Sequence, residues 1–88
     1  MRPVTIPRTE AIALARYERD ALRARAAAGG PCAVHWERAA RGAHQVLECL
    51  RRGDDGVALQ LAYGVATLWA AAARCSGIEP PYIPGSAS

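Results

Sequence analysis

The sequence lacks lysine, asparagine and phenylalanine, and these absences limit how its other residues can be interpreted. All 11 basic residues are arginine, and 20 of the 88 residues are alanine. We interpret this bias as the product of a GC-rich coding sequence of bacterial or phage origin. The presence of arginine in this chain is therefore only a weak sign that its guanidinium group was selected to bind phosphate or carboxylate.

The sequence also has few cysteines, and its first ten residues lack the apolar segment of a secretory signal peptide. Cys32, Cys49 and Cys75 are odd in number and far apart, a pattern that does not indicate a disulfide framework. We therefore expect three reduced thiols in a protein located in the cytoplasm.

No Gly-rich phosphate-binding loop and no recognisable group of catalytic side chains is present. His44 and Glu48 are four residues apart, but they fall on the predicted solvent side of a helix without a nucleophile beside them. Cys32 and His35 have a spacing that places two ligands on one metal ion, yet no second close pair completes a zinc site. The sequence predicts a protein that is not an enzyme and that binds no metal, cofactor or small-molecule substrate.

Apolar residues recur at helical spacing in three segments, each with matching end signals. We expect helices at about residues 9–28, 31–52 and 54–76, which form a single domain over residues 9–77. Thr9 is suited to an N-cap, whereas Gly53 and Gly77 are suited to the positions that follow a helix.

Proline is concentrated outside this domain. Pro3 and Pro7 predict an extended arm over residues 1–8, because proline fixes φ and removes a backbone donor. Pro80 and its neighbouring prolines predict a non-helical, proline-rich tail over residues 78–88.

The segment from Val57 to Ala73 carries no charged residue, and on a helix its few polar side chains form one narrow stripe. A helix that is apolar on most of its circumference needs cover from protein or lipid. Its 17 residues extend over roughly 25 Å, less than the hydrocarbon core of a membrane, so we expect no membrane span. We predict an all-α three-helix bundle in which this apolar third helix is central.

A chain of 88 residues has a small core, and the third helix presents both a bulky and a smooth alanine-rich surface. We therefore expect a homodimer with six helices, in which the two third helices lie near the two-fold axis. The alternative is a monomer whose arm and tail cover the same residues. The residues assigned to the dimer interface are Ile12, Leu59, Ala62, Ala66, Trp69, Ala70 and Ala73.

The absence of catalytic groups and the large apolar helix surface favour a binding function. We predict a non-catalytic protein-interaction module, such as an adaptor, an inhibitor, an antitoxin-like protein or a phage-type accessory protein, that binds a larger macromolecule. The alternative is a small dimeric DNA-binding regulator that uses the arginine face of the first helix, since the net charge of +3 permits a nucleic-acid partner. Glu18 and Asp20 interrupt that face. The residues assigned to partner or nucleic-acid contact are Arg16, Arg19, Arg23, Arg38 and Arg41.

Overall fold

The structure is a computed structural model that describes residues 7–78 and contains three α-helices. Helix α1 spans Arg8–Ala27, α2 spans Ala33–Arg52 and α3 spans Asp55–Ser76. No β-strand occurs within residues 7–78, and the predicted all-α three-helix bundle is confirmed. Residues 1–6 of the predicted arm and 79–88 of the predicted tail lie outside the described residues.

The helix ends follow the sequence signals in most places. Gly53 and Gly77 adopt left-handed conformations after α2 and α3, with φ of 83° and 73°, as predicted. Helix α1 begins at Arg8 rather than at Thr9, so Arg8 is helical and does not belong to an extended arm. The guanidinium group of Arg8 forms a bidentate ion pair at 2.9 Å with Asp55, in the first turn of α3.

Helix α2 is the central element, because α1 and α3 both pack along it and do not pack on each other within the described residues. The prediction that α3 is central is therefore wrong. The reason lies in the small, buried side chains of α2, which allow close approach on two sides; they include Ala39, Ala40 and Ala43. Helix α3 lies at one edge of a layer 17 Å thick, and its Leu59 is 60% exposed.

Gly42 allows α3 to approach the backbone of α2. A β-carbon added at this position would lie 2.8 Å from Cγ2 of Val65. Val65 is buried and β-branched, so its side chain has little freedom to move aside. Position 42 is therefore a glycine because a larger residue would not fit beside Val65, and not because the backbone requires one.

Trp36 connects the three helices at the end of the layer where α2 begins and α3 ends. Its buried ring meets Trp69 of α3 edge to face, with ring centroids 5.8 Å apart and an interplanar angle of 89°. The indole N–H donates a hydrogen bond of 2.9 Å to Oγ of Ser76. The guanidinium carbon of Arg25, on α1, lies 4.8 Å from the centroid of the Trp36 ring.

Cys32 and Cys75 form a disulfide bond beside Trp36, so the prediction of three reduced thiols is wrong. Cys49 is a free, buried thiol. Because α2 and α3 are antiparallel neighbours, the start of α2 and the last turn of α3 lie at the same end, with these Cα atoms 5.9 Å apart. The cytoplasmic location remains a prediction that has lost one of its premises, since disulfides persist mainly in oxidising compartments.

By length and composition alone, α3 is long and apolar enough to cross a membrane. Its 22 residues correspond to about 33 Å, so the length argument against a membrane span does not hold. The most apolar window has a mean hydropathy of 1.4, and 28% of it is buried in the protein. One such helix is weak support for a membrane span, because a core helix of a soluble protein passes the same criteria. The absence of a membrane partner remains a prediction.

Gly42→Ala is expected to destabilise the protein, although alanine is the better helix former. The added methyl group clashes with Val65, and overpacking of this kind costs about 1–3 kcal/mol. Gly64→Ala is the matched control, because nothing lies within 4 Å of its added carbon, and a gain of up to about 1 kcal/mol is expected. Urea denaturation followed by circular dichroism measures both changes. Equal stabilisation by the two substitutions would contradict the close approach at Gly42.

Reduction of the Cys32–Cys75 bond is expected to lower the free energy of unfolding by up to about 4 kcal/mol, the loop-entropy value for a separation of 43 residues. Thermal unfolding with and without reductant measures this loss. The Cys32→Ser/Cys75→Ser double variant is the control, and its unfolding should not respond to reductant. Thiol titration of the denatured, unreduced chain should find Cys49 alone; a count of three thiols there would refute the bond.

Candidate functional site

The open side of the helical layer is an apolar groove between α1 and α3. Because these two helices do not pack together, their facing side chains leave a depression of about 500 Å³, which we call the α1–α3 groove. It is lined by Leu14, Tyr17, Glu18, Ala21, Ala66 and Trp69.

A smaller depression of about 180 Å³ adjoins the groove, and Glu18 and Ala66 line both. Its remaining lining residues come from all three helices and are Ala15, Ala43, Val46, Ala62 and Val65. Alanine predominates, so this part of the groove is smooth and leaves room for larger side chains of another molecule. The rim has large side chains, with Leu14 58% and Tyr17 76% exposed.

The lining of the groove follows from residue spacing on α1 and α3. Leu14, Tyr17 and Ala21 are separated by three and four residues, which places them on one face of α1. Ala62, Ala66 and Trp69 have the corresponding spacing on α3, and Leu59 continues this stripe by one further turn. Alternating steps of three and four are the spacing by which helices pack along one another. The groove therefore has the residue pattern of a helix-packing surface.

Glu18 is the one charged residue among those that line the two depressions. None of the ion pairs formed by residues 7–78 involves its carboxylate. Although Glu18 retains exposed surface, burial among apolar neighbours raises the pKa of its carboxyl above the ordinary value of 4.5, because burial penalises the charged form. Sequence reasoning assigned Glu18 no role at this site. The available signal was an acid directly after Tyr17, within an otherwise apolar stripe.

The structure divides the residues assigned to a dimer interface into two sets. Ala70 and Ala73 are buried within the chain, on the side of α3 that packs against α2, and are not accessible to a second molecule. Ile12 is half-buried, so only part of its surface is accessible to a second molecule. The assigned residues that keep exposed surface beside or along the groove are Leu59, Ala62, Ala66 and Trp69.

The arginines assigned to partner contact do not form one free group. Arg19 is directed towards α2: its side chain is 14% exposed, it pairs with Asp20 at 2.9 Å, and its Nη1 lies 3.4 Å from Nδ1 of His44. The other four are exposed on two different helices: Arg16 and Arg23 on α1, and Arg38 and Arg41 on α2. The three-arginine face predicted for α1 is reduced to two exposed side chains.

His44, which sequence analysis considered with Glu48 as a possible catalytic pair, lies beside that residue on α2. Nε2 of His44 lies 3.9 Å from Oε1 of Glu48, and that same oxygen accepts a hydrogen bond of 2.8 Å from Arg51. No group of three or more potential metal ligands occurs within residues 7–78. That the chain is neither an enzyme nor a metal or cofactor binder remains a prediction.

No protein-family model, curated protein or solved structure matches this chain. The α1–α3 groove combines apolar side chains from all three helices with one partly buried carboxylate.

Glu18→Gln is expected to stabilise the protein at neutral pH and to lose this advantage in acid. The carboxyl binds a proton at higher pH in the groove than in the unfolded chain, so the native state loses stability as the pH rises through the folded pKa. Below the ordinary pKa of 4.5 both states are protonated, and the cost of burying the charge disappears.

Urea denaturation of the wild-type and Glu18→Gln proteins between about pH 3 and pH 8 measures this difference. Glu37→Gln, on the exposed face of α2, is the matched control and should not give the same gain at neutral pH. A difference between wild type and Glu18→Gln that stays constant over the whole pH range would argue against a partly desolvated charge in the groove.

Proposed function

We propose that this protein is a non-catalytic protein-interaction module whose α1–α3 groove binds an apolar surface of a larger protein. The observation that carries the proposal is the open layer of helices, in which residues 7–78 leave the facing apolar stripes of α1 and α3 uncovered. Contiguous exposed apolar surface on a small protein commonly marks an interaction site. An adaptor, an inhibitor, an antitoxin-like protein or a phage-type accessory protein would act in this way.

The packing around the groove supports binding without a large rearrangement. Helix α3 is attached at its first turn by the ion pair between Arg8 and Asp55, and at its last turn by the disulfide between Cys32 and Cys75. Both walls of the groove rest on the same helix, α2. A groove that is already formed loses less conformational entropy when its partner binds.

A homodimer that uses the same groove is the alternative form of this proposal. Leu59, Ala62 and Trp69 keep exposed surface that a second copy would cover. Two observations weigh against it. Two of the assigned interface alanines are buried within the chain, and a two-fold contact centred on the groove would bring two Glu18 carboxylates into one interface.

The alternative of a DNA-binding regulator has less support. Arg19 is engaged with Asp20 and lies beside His44, which leaves Arg16 and Arg23 as the exposed arginines of that face. Duplex DNA binding normally relies on a denser set of cations, because affinity depends on the number of phosphates neutralised.

The proposal is tested by capture of partner proteins from the organism that encodes this chain, with two variants compared in parallel. Ala62→Glu places a charge on the exposed part of the groove wall, and it should reduce the captured amount by about tenfold or more, because an unpaired charge is costly to bury in an interface. Arg41→Glu, on the exposed face of α2, is the control and should leave capture unchanged.

Circular dichroism establishes that both variants are folded, and quantitative mass spectrometry measures the captured proteins. A partner that is retained by Ala62→Glu and lost by Arg41→Glu would place binding on the outer face of α2. That result would contradict the proposal.

A further inference from the structure

The α1–α3 groove has the shape of a site for an α-helix. The residues that line the groove run from Leu14 to Ala21 on α1 and from Ala62 to Trp69 on α3, about two turns of each helix, and α2 lies beneath them. Because α1 and α3 are each antiparallel to α2, they run in the same direction along the groove. A helix laid between them would contact both apolar stripes and complete a four-helix arrangement.

The sizes of the lining side chains indicate what such a helix must supply. Ala21, Ala62 and Ala66 make much of the lining small, whereas Leu14 and Trp69 supply bulk at the edges. Small residues on one side of a helix contact are filled by large residues on the other. The bound helix therefore needs large apolar side chains that recur at intervals of three and four residues.

Glu18 selects the charge of the occupant. An apolar molecule seated in the groove would shield this carboxylate from water, and no cation of residues 7–78 pairs with it. Burial of an unpaired charge opposes binding, whereas a cation on the occupant would offset that cost. A second copy placed symmetrically would bring another Glu18, and lipid chains would bring no cation at all.

We infer that the α1–α3 groove binds an amphipathic α-helix of a partner protein, with large apolar residues against its alanine lining and an arginine or lysine paired with Glu18. This inference rests on the proposed interaction function and names the class of partner.

The test uses the full chain and three synthetic helical peptides of about 18 residues, which span roughly 27 Å. The peptides contain leucine at the same heptad positions and no tryptophan. They differ only at one central position beside the apolar stripe, which holds arginine, glutamine or glutamate. Binding is measured by fluorescence titration of the protein, and the indole N–H signal of Trp69 reports by NMR whether the peptide occupies the groove.

The arginine peptide is expected to bind about tenfold or more tightly than the glutamate peptide, because only the former pairs with Glu18. In Glu18→Gln, affinity for the arginine peptide should fall about tenfold, while affinity for the glutamine peptide should stay nearly unchanged. Glu37→Gln removes an equal charge from the exposed face of α2 and should preserve the preference for arginine.

Equal binding of all three peptides would overturn the inference while leaving the proposed function intact. A preference for arginine that persists in Glu18→Gln would also overturn it. Light scattering that gives twice the mass of the chain, undiminished by peptide, would overturn it by assigning the groove to a second copy. Binding to lipid vesicles with no binding of any peptide would overturn both the inference and the proposed function.

Discussion

The coverage of α2 on two sides is the constraint on which the rest of the structure depends. Its alanines and Gly42 give it a surface small enough for a helix to approach closely from each side. Because α1 and α3 both pack on this surface, their backbones do not approach each other, and the space between them becomes the groove. The groove is therefore a direct consequence of small residues on the central helix and needs no additional structural element.

The attachments at the two ends of α3 differ in strength. The ion pair between Arg8 and Asp55 is formed by side chains that are 50% and 61% exposed, and exposed pairs contribute about 0–1 kcal/mol. The disulfide between Cys32 and Cys75 contributes up to about 4 kcal/mol through the loop that it closes. At that same end, Trp36 packs on Trp69 and under Arg25. Of these two attachments, the one at the disulfide end is the stronger, and Trp69 enters the groove near that end.

Glu18 links the stability of the free protein to the function we propose. An acid among apolar side chains lowers the stability of the free protein at neutral pH, as the raised pKa of its carboxyl indicates. A cationic partner would remove this cost on binding, so a residue that is unfavourable in isolation becomes a determinant of specificity. The alanine lining also favours a partner, because it leaves space that residues 7–78 do not fill.

The sequence by itself determined the three helices and where they end, because helix formation depends on hydrogen bonds over four residues and on local signals such as Gly53 and Gly77. Only the tertiary structure decided which helix is central, since that depends on which pairs of surfaces fit most closely. The disulfide also depends on both levels. Cys32 lies 21 residues before Gly53, and Cys75 lies 21 residues after Asp54. These equal separations bring the two thiols together only because α2 and α3 pack antiparallel. The environment of Glu18 was likewise decided by tertiary packing, because the apolar neighbours that surround it come from all three helices.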